Sequence, residues 1–84
     1  MKVGIYSQSG VLYDSEAVSL TTETRSGEIT ILDHHRPLVT ILKKGMTIIT
    51  KQNGEHVELE VQGGFLEMNE RNELTLLLHE LQKV

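Results

Sequence analysis

Cysteine and tryptophan are absent from these 84 residues, and proline occurs once. Without cysteine no disulfide can staple the fold and no thiolate framework can hold a metal, so the composition suits a reducing compartment. Two tyrosines and one phenylalanine leave nothing like a stacking platform for bases. Positive charge is also scarce: eight Lys and Arg face twelve Asp and Glu, a formal charge of −4, which argues against a phosphate-neutralising nucleic-acid binder. The acids are interspersed, densest from Glu55 to Glu80, with no block of five like charges that would mark a solvated tail. No stretch approaches the roughly 20 apolar residues of a spanning helix, and Met1 to Gly10 simply alternate polar with apolar. The expectation is one soluble domain over residues 1–84, with the modest stability of a chain that buries only about 60 to 65% of its unfolded surface.

What the chain does have is β-branched weight. Seven Val, six Ile and eight Thr make up a quarter of it, and their stiff χ1 suits pleated surfaces more than helices. Val3 and Ile5 alternate against Lys2, Gly4 and Tyr6, and Gly10 turns the chain into Val11, Leu12 and Tyr13. Val18 and Leu20 begin another run, Ser26 and Gly27 break it, and Ile29 and Ile31 resume it. Met46–Lys51 and Glu55–Gln62 read as a hairpin through Asn53-Gly54, the dipeptide that best tolerates the positive φ of a type I′ turn. Val57, Leu59 and Val61 face one way there, with His56, Glu58 and Glu60 facing the other. Gly63 and Gly64 permit a sharp reversal into Phe65–Met68. The segment from Glu73 fits period two at Leu74, Leu76 and Leu78 and a helix at Leu74, Leu77, Leu78 and Leu81; we read strand through about Leu78. The fold class is all-β, two packed sheets of short strands.

Polar chemistry gathers at the single proline. Asp33, His34, His35, Arg36 and Pro37 follow Leu32 and precede Leu38, Val39, Thr40, Ile41 and Leu42. Proline removes a ladder donor, so it marks a strand start or surface turn. The apolar run after it reads as a strand entering the core, which would make the loop a presented edge. Asp33, His34 and His35 are ordinary zinc ligand types. Consecutive residues in an extended loop point to opposite sides, however, so no metal site is expected. Ser7, Ser9, Ser15, Ser19 and Ser26 are scattered with no nucleophile elbow around any of them, so no catalytic residue is assigned. Gly63 and Gly64 precede a strand and cradle no phosphate. No cofactor is expected.

One block runs through Gly27, Glu28, Leu32, His35, Pro37, Leu38, Val39, Thr40, Leu42, Lys43, Gly45 and Met46. A second runs through Val61, Gln62, Gly63, Gly64, Phe65, Leu66 and Glu67. In order and spacing they resemble the amino-terminal domain of the epsilon subunit of F-type rotary ATP synthases, called delta in mitochondria. The resemblance implies a flattened sandwich of about ten strands. It also implies a non-catalytic central-stalk subunit, peripheral to the cytoplasmic face of the inner membrane, that couples the gamma shaft to the ion-driven c-ring during ATP synthesis.

By the same resemblance, Glu28 and His35 touch the polar loops of the ring, and Arg36 adds positive charge beside them, where the family usually has alanine. Val11, Leu12 and Tyr13 lie where the family leans on gamma. The family usually has Pro and Gly where this chain has Asp33 and His34, and histidine is less at ease than glycine at positive φ. Asp33 and Arg36 superficially match an Asp-x-x-Arg pattern that binds ATP in some relatives, but there it lies on the helical carboxy-terminal domain. The sequence stops at Lys83 and Val84, where that helical hairpin would begin, so neither the hairpin nor its self-inhibitory function is expected from these residues. In isolation a monomer is expected. The reading from another class is a free-standing β-sandwich binding module or small-molecule carrier with the His35 loop as its edge; an enzyme with a histidine-centred site is the remainder.

Overall fold

Alternation of period two resolves into nine strands in a computed structural model that describes residues 1–79. They are β1 (Lys2–Ser7), β2 (Gly10–Glu16), β3 (Ser19–Thr24), β4 (Gly27–Leu32), β5 (Leu38–Leu42), β6 (Gly45–Thr50), β7 (His56–Val61), β8 (Gly64–Met68) and β9 (Glu73–Leu78). The chain is all-strand among the described residues, one fewer than the ten the resemblance implies. One wing runs β2-β1-β9-β8-β5, and the other places β3 between β4 and β6, with β7 beyond. Among the described residues the wings' ladders join at one corner, where Thr24 pairs Leu42 and Lys43 N–H donates to the Glu23 carbonyl at 2.9 Å. Folding at that corner brings the two inner faces together.

The core comes from both wings. Val3, Ile5, Leu66, Met68, Leu74 and Leu76 meet Leu20, Ile31 and Ile49, all essentially without solvent exposure. Threonine supplies its buried polar side chains: the Thr22 and Thr47 hydroxyls hydrogen-bond each other at 2.7 Å, and Thr24 donates to the Gly27 carbonyl at 2.7 Å. No buried side-chain nitrogen or oxygen among the described residues lacks a partner, as a low-dielectric interior requires.

Three expectations meet the structure differently. The last segment is a strand, as read: β9 lies between parallel β1 and antiparallel β8, and two ladders outweigh the helix propensity of its leucines. Leu81 lies outside the described residues. The run after Pro37 does not enter the core whole, because the pleat splits it: Leu42 is buried and Leu38 half-buried, whereas Val39 and Ile41 stand on the outer face, 72% and 41% exposed. The Asn53-Gly54 turn is not type I′. Only Gly54 has positive φ (90°), Gly54 N–H donates to the Lys51 carbonyl, and Lys51 N–H donates to the Glu55 carbonyl. This is the three-residue loop in which glycine alone takes the left-handed position.

Candidate contact surfaces

Alternation along β4 points Ile29 and Ile31 inward and leaves Glu28, Thr30 and Leu32 on the outer surface of an edge strand. Glu28 sits at the start of that strand and His35 three residues beyond its end, so the two do not converge. From Glu28 to Leu32 alone the strand spans about 13 Å, four steps of ~3.3 Å. They lie at the two ends of one edge. Directly opposite Glu28 across the ladder is Glu23, which sequence reading missed because only the register reveals it. Like charges placed directly opposite repel, and neither carboxylate has an ion pair among the described residues.

The proline loop is built tightly. His34 takes the left-handed conformation (φ 62°) that its position requires. The His35 Nδ1–H donates to the Arg36 carbonyl at 2.7 Å, which fixes the orientation of the ring. Arg36 is exposed. Asp33 Oδ1 accepts from the Met1 amino group and from Asn72 Nδ2 (2.8 Å). The Met1 ammonium, seconded by Asn72, holds the Asp33 carboxyl below the usual carboxylate range.

That shift gives a pH prediction. A carboxyl more acidic folded than unfolded stabilises fully above its ordinary value of 3.8 and loses that contribution as pH falls through the lowered folded value. Asp33→Asn should therefore flatten the acid limb of stability, read as the urea midpoint from about pH 5 to about pH 2. Added salt should shrink the difference, because the Asp33 side chain is about half exposed. Superimposable acid limbs for the two proteins would refute it.

The second surface is apolar. A bulge between Ile5 and Tyr6 leaves Leu12 without a ladder partner, so Ile5 pairs Tyr13 while Tyr6 pairs Val11. The expected trio therefore does not share one face: Val11 is outward and 62% exposed, Leu12 occupies the bulge, and Tyr13 packs against the core. Val11 instead ends a row that crosses the whole wing, Val11–Tyr6–Leu77–Phe65–Ile41. Beside it a shallow groove of about 300 Å³ is lined by Val39, Phe65, Leu66, Glu67, Thr75 and Leu77. The row was illegible in the sequence because its members come from five separate strands.

Comparison with known proteins places this geometry. The family described as ATP synthase, Delta/Epsilon chain, beta-sandwich domain matches residues 1–83. The ATP synthase epsilon chain of Dichelobacter nodosus is 36% identical over 75 residues, 89% of this chain and 52% of that one. The chloroplastic epsilon chain of Chaetosphaeridium globosum is 32% identical over 83 residues, 99% of this chain and 60% of that one. The chain thus spans about half the length of the first relatives it matches. Among solved structures, a chain of the Euglena gracilis mitochondrial ATP synthase OSCP/F1/c-ring assembly superposes with a TM-score of 0.85 at 21% identity, over 90% of this chain and 48% of that one. A chain of the Tetrahymena thermophila central stalk/c-ring structure gives 0.80 at 15% identity, over 99% and 66%. At such identities the superpositions establish the fold.

Proposed function

We propose that this chain, which belongs to the beta-sandwich family of ATP synthase delta/epsilon chains, is a non-catalytic coupling piece of the central stalk, seated between the gamma shaft and the c-ring at the cytoplasmic face of the membrane. The observation that carries this reading is the match along residues 1–83 to that domain. The physical arrangement supports it. A close-packed interior deforms little under load, so a slab of about 40 by 25 by 20 Å held at two places passes torque from one to the other. Its surfaces differ in chemistry, which keeps the partners from exchanging places. The apolar wing suits a permanent contact with the shaft, and the β4 edge, with Glu28 and Glu23 at one end and His35 and Arg36 at the other, suits polar loops of the ring. In isolation the chain is a monomer, and ATP synthesis depends on it only through the assembly.

Retention by gamma and by the detergent-solubilised ring tests the role; a carrier or free-standing module would elute alone from both. Replacing Glu28 and His35 together by alanine is expected to weaken ring binding about tenfold to a hundredfold, since charge-assisted hydrogen bonds contribute roughly 1.5 to 3 kcal/mol. Arg36→Ala should lower ring affinity and flatten its salt dependence, because the guanidinium would face an acidic ring loop. Unaltered ring binding in the Glu28 and His35 double variant would move the ring contact elsewhere on the molecule.

A further inference from the structure

We infer that Asn72 is a positioning residue for the ring-facing loop, its side chain tying the β8–β9 turn to Asp33 and His34 and so fixing where His35 and Arg36 are presented. The inference rests on the proposed ring contact and deepens it.

Asn72 lies far from the loop in sequence and against it in space. Its Oδ1 accepts the His34 backbone N–H at 2.7 Å, and its Nδ2 donates to Asp33 Oδ1 at 2.8 Å. The platform beneath it is rigid. The Asn69 side chain accepts from the Arg71 and Glu73 amides at 2.9 and 3.0 Å, and the Asn72 carbonyl accepts from Lys2 N–H at 3.1 Å. On the loop side, three consecutive amides are held by three different parts of the molecule: Asp33 N–H by the Val18 carbonyl, His34 N–H by Asn72, and His35 N–H by the Leu32 carbonyl. Asp33 Oδ1 also accepts from the Met1 amino group, which donates in turn to the Ala17 carbonyl at 2.9 Å.

The middle tether matters most. His34 is left-handed at φ 62°, and Asn72 faces it at φ 61°. These are the two non-glycine residues of positive φ among those described, and such a conformation persists only where its surroundings over-determine it. The amide that Asn72 holds belongs to the strained residue itself. Removing that bond frees His34 to return to ordinary backbone angles. The peptide that follows then swings, carrying the His35 ring and its hydrogen bond to the Arg36 carbonyl away from the bound geometry. A loop that spends only part of its time in the competent shape binds more weakly by that fraction.

Asn72→Gly separates positioning from folding, because glycine keeps the left-handed turn and the main-chain bond to Lys2 while deleting both side-chain bonds. In the full chain, hydrogen exchange of the His34 amide is expected to accelerate about tenfold or more while the β8 and β9 amides stay protected. Ring affinity should fall about tenfold with gamma affinity unchanged, and adding His34→Gly should restore part of it, since glycine takes the left-handed angles without strain. Asp33→Ala, which removes the bond from the other side, should loosen the same amide. Unchanged His34 exchange in both variants overturns the inference, as does a loosened loop that binds the ring as tightly as before. Should the unaltered chain fail to bind the ring at all, the ring reading falls and takes the assigned purpose of the tether with it; the exchange measurement still decides whether Asn72 holds the loop.

Discussion

Gly64→Ala is expected to lower the thermal midpoint by about 20 °C or more, the largest effect of any single methyl added to this chain. Gly64 opens β8 with φ at 144° and is paired on both sides, to Leu42 and to Leu78. A Cβ built there would lie 2.1 Å from the Leu77 carbonyl oxygen and 2.9 Å from Leu78 Cα. Both obstructing atoms belong to ladder backbone, so no flexible side chain can yield. Either β8 parts from β9 or the residue leaves its backbone conformation, and each breaks the wing that carries half the core. Backbone strain of roughly 1 to 3 kcal/mol and overpacking of roughly 1 to 3 kcal/mol together reach about 2 to 6 kcal/mol. A domain of this size has only about 4 to 13 kcal/mol in all, and each kcal/mol moves the midpoint by about 4 to 8 °C.

Gly54→Ala provides the comparison. Gly54 also has positive φ (90°), but a Cβ there meets nothing within 4 Å, so strain acts alone and a loss of about 1 kcal/mol is expected. Thermal unfolding followed by circular dichroism distinguishes the two. Equal midpoints for the alanine variants would show that strand β8 does not enter the sheet against the Leu77 carbonyl.

That contrast also marks what a reader of the sequence could see. The Gly63-Gly64 pair announces a reversal, yet nothing in the string distinguishes a glycine wedged against a neighbouring strand from one at an open turn such as Gly54. Strand positions were legible because period two is a local property: Val57, Leu59 and Val61 alternate with charge, and they turn the same way in the structure. Parity was less legible. Val39 and Ile41 look like core until β5 is laid on β8, and the bulge at Leu12 reverses the sense of β2, sending Val11 outward and Tyr13 inward. The proline loop was recognisable as an edge, and the left-handed demand on His34 could be anticipated from the glycine usual in the family. Its tether to Asn72 could not, because 38 residues separate the two. Glu23 beside Glu28 and the apolar row across the wing were hidden for the same reason: cross-strand register joins residues that the linear order keeps apart.

The row supports the second large effect. Changing Phe65→Thr together with Leu77→Lys is expected to weaken binding to the gamma shaft about a thousandfold while the fold survives. These two side chains are directly paired neighbours at the middle of the row, 48% and 54% exposed, so much of their area is still available to a partner. Complete burial of a large apolar side chain contributes about 1.5 to 3 kcal/mol; half of that for each of two residues gives roughly 1.5 to 3 kcal/mol together, and the lysine supplies the rest of the ~4 kcal/mol that a thousandfold represents. Lysine adds to the loss, since the interface would have to desolvate an unpaired ammonium. Threonine preserves strand propensity at position 65, and neither residue belongs to the buried core, so the thermal midpoint should move by only a few degrees. Ring affinity provides the internal control, because β4 and the proline loop lie on other elements. Two results would overturn the assignment of this wing to the shaft: gamma binding within about threefold of the unaltered chain, or a loss of ring and gamma binding in equal measure, which would point to a collapsed fold rather than a lost face. A selective loss of gamma binding with intact β-sheet signal is what an apolar wing gripping the shaft requires.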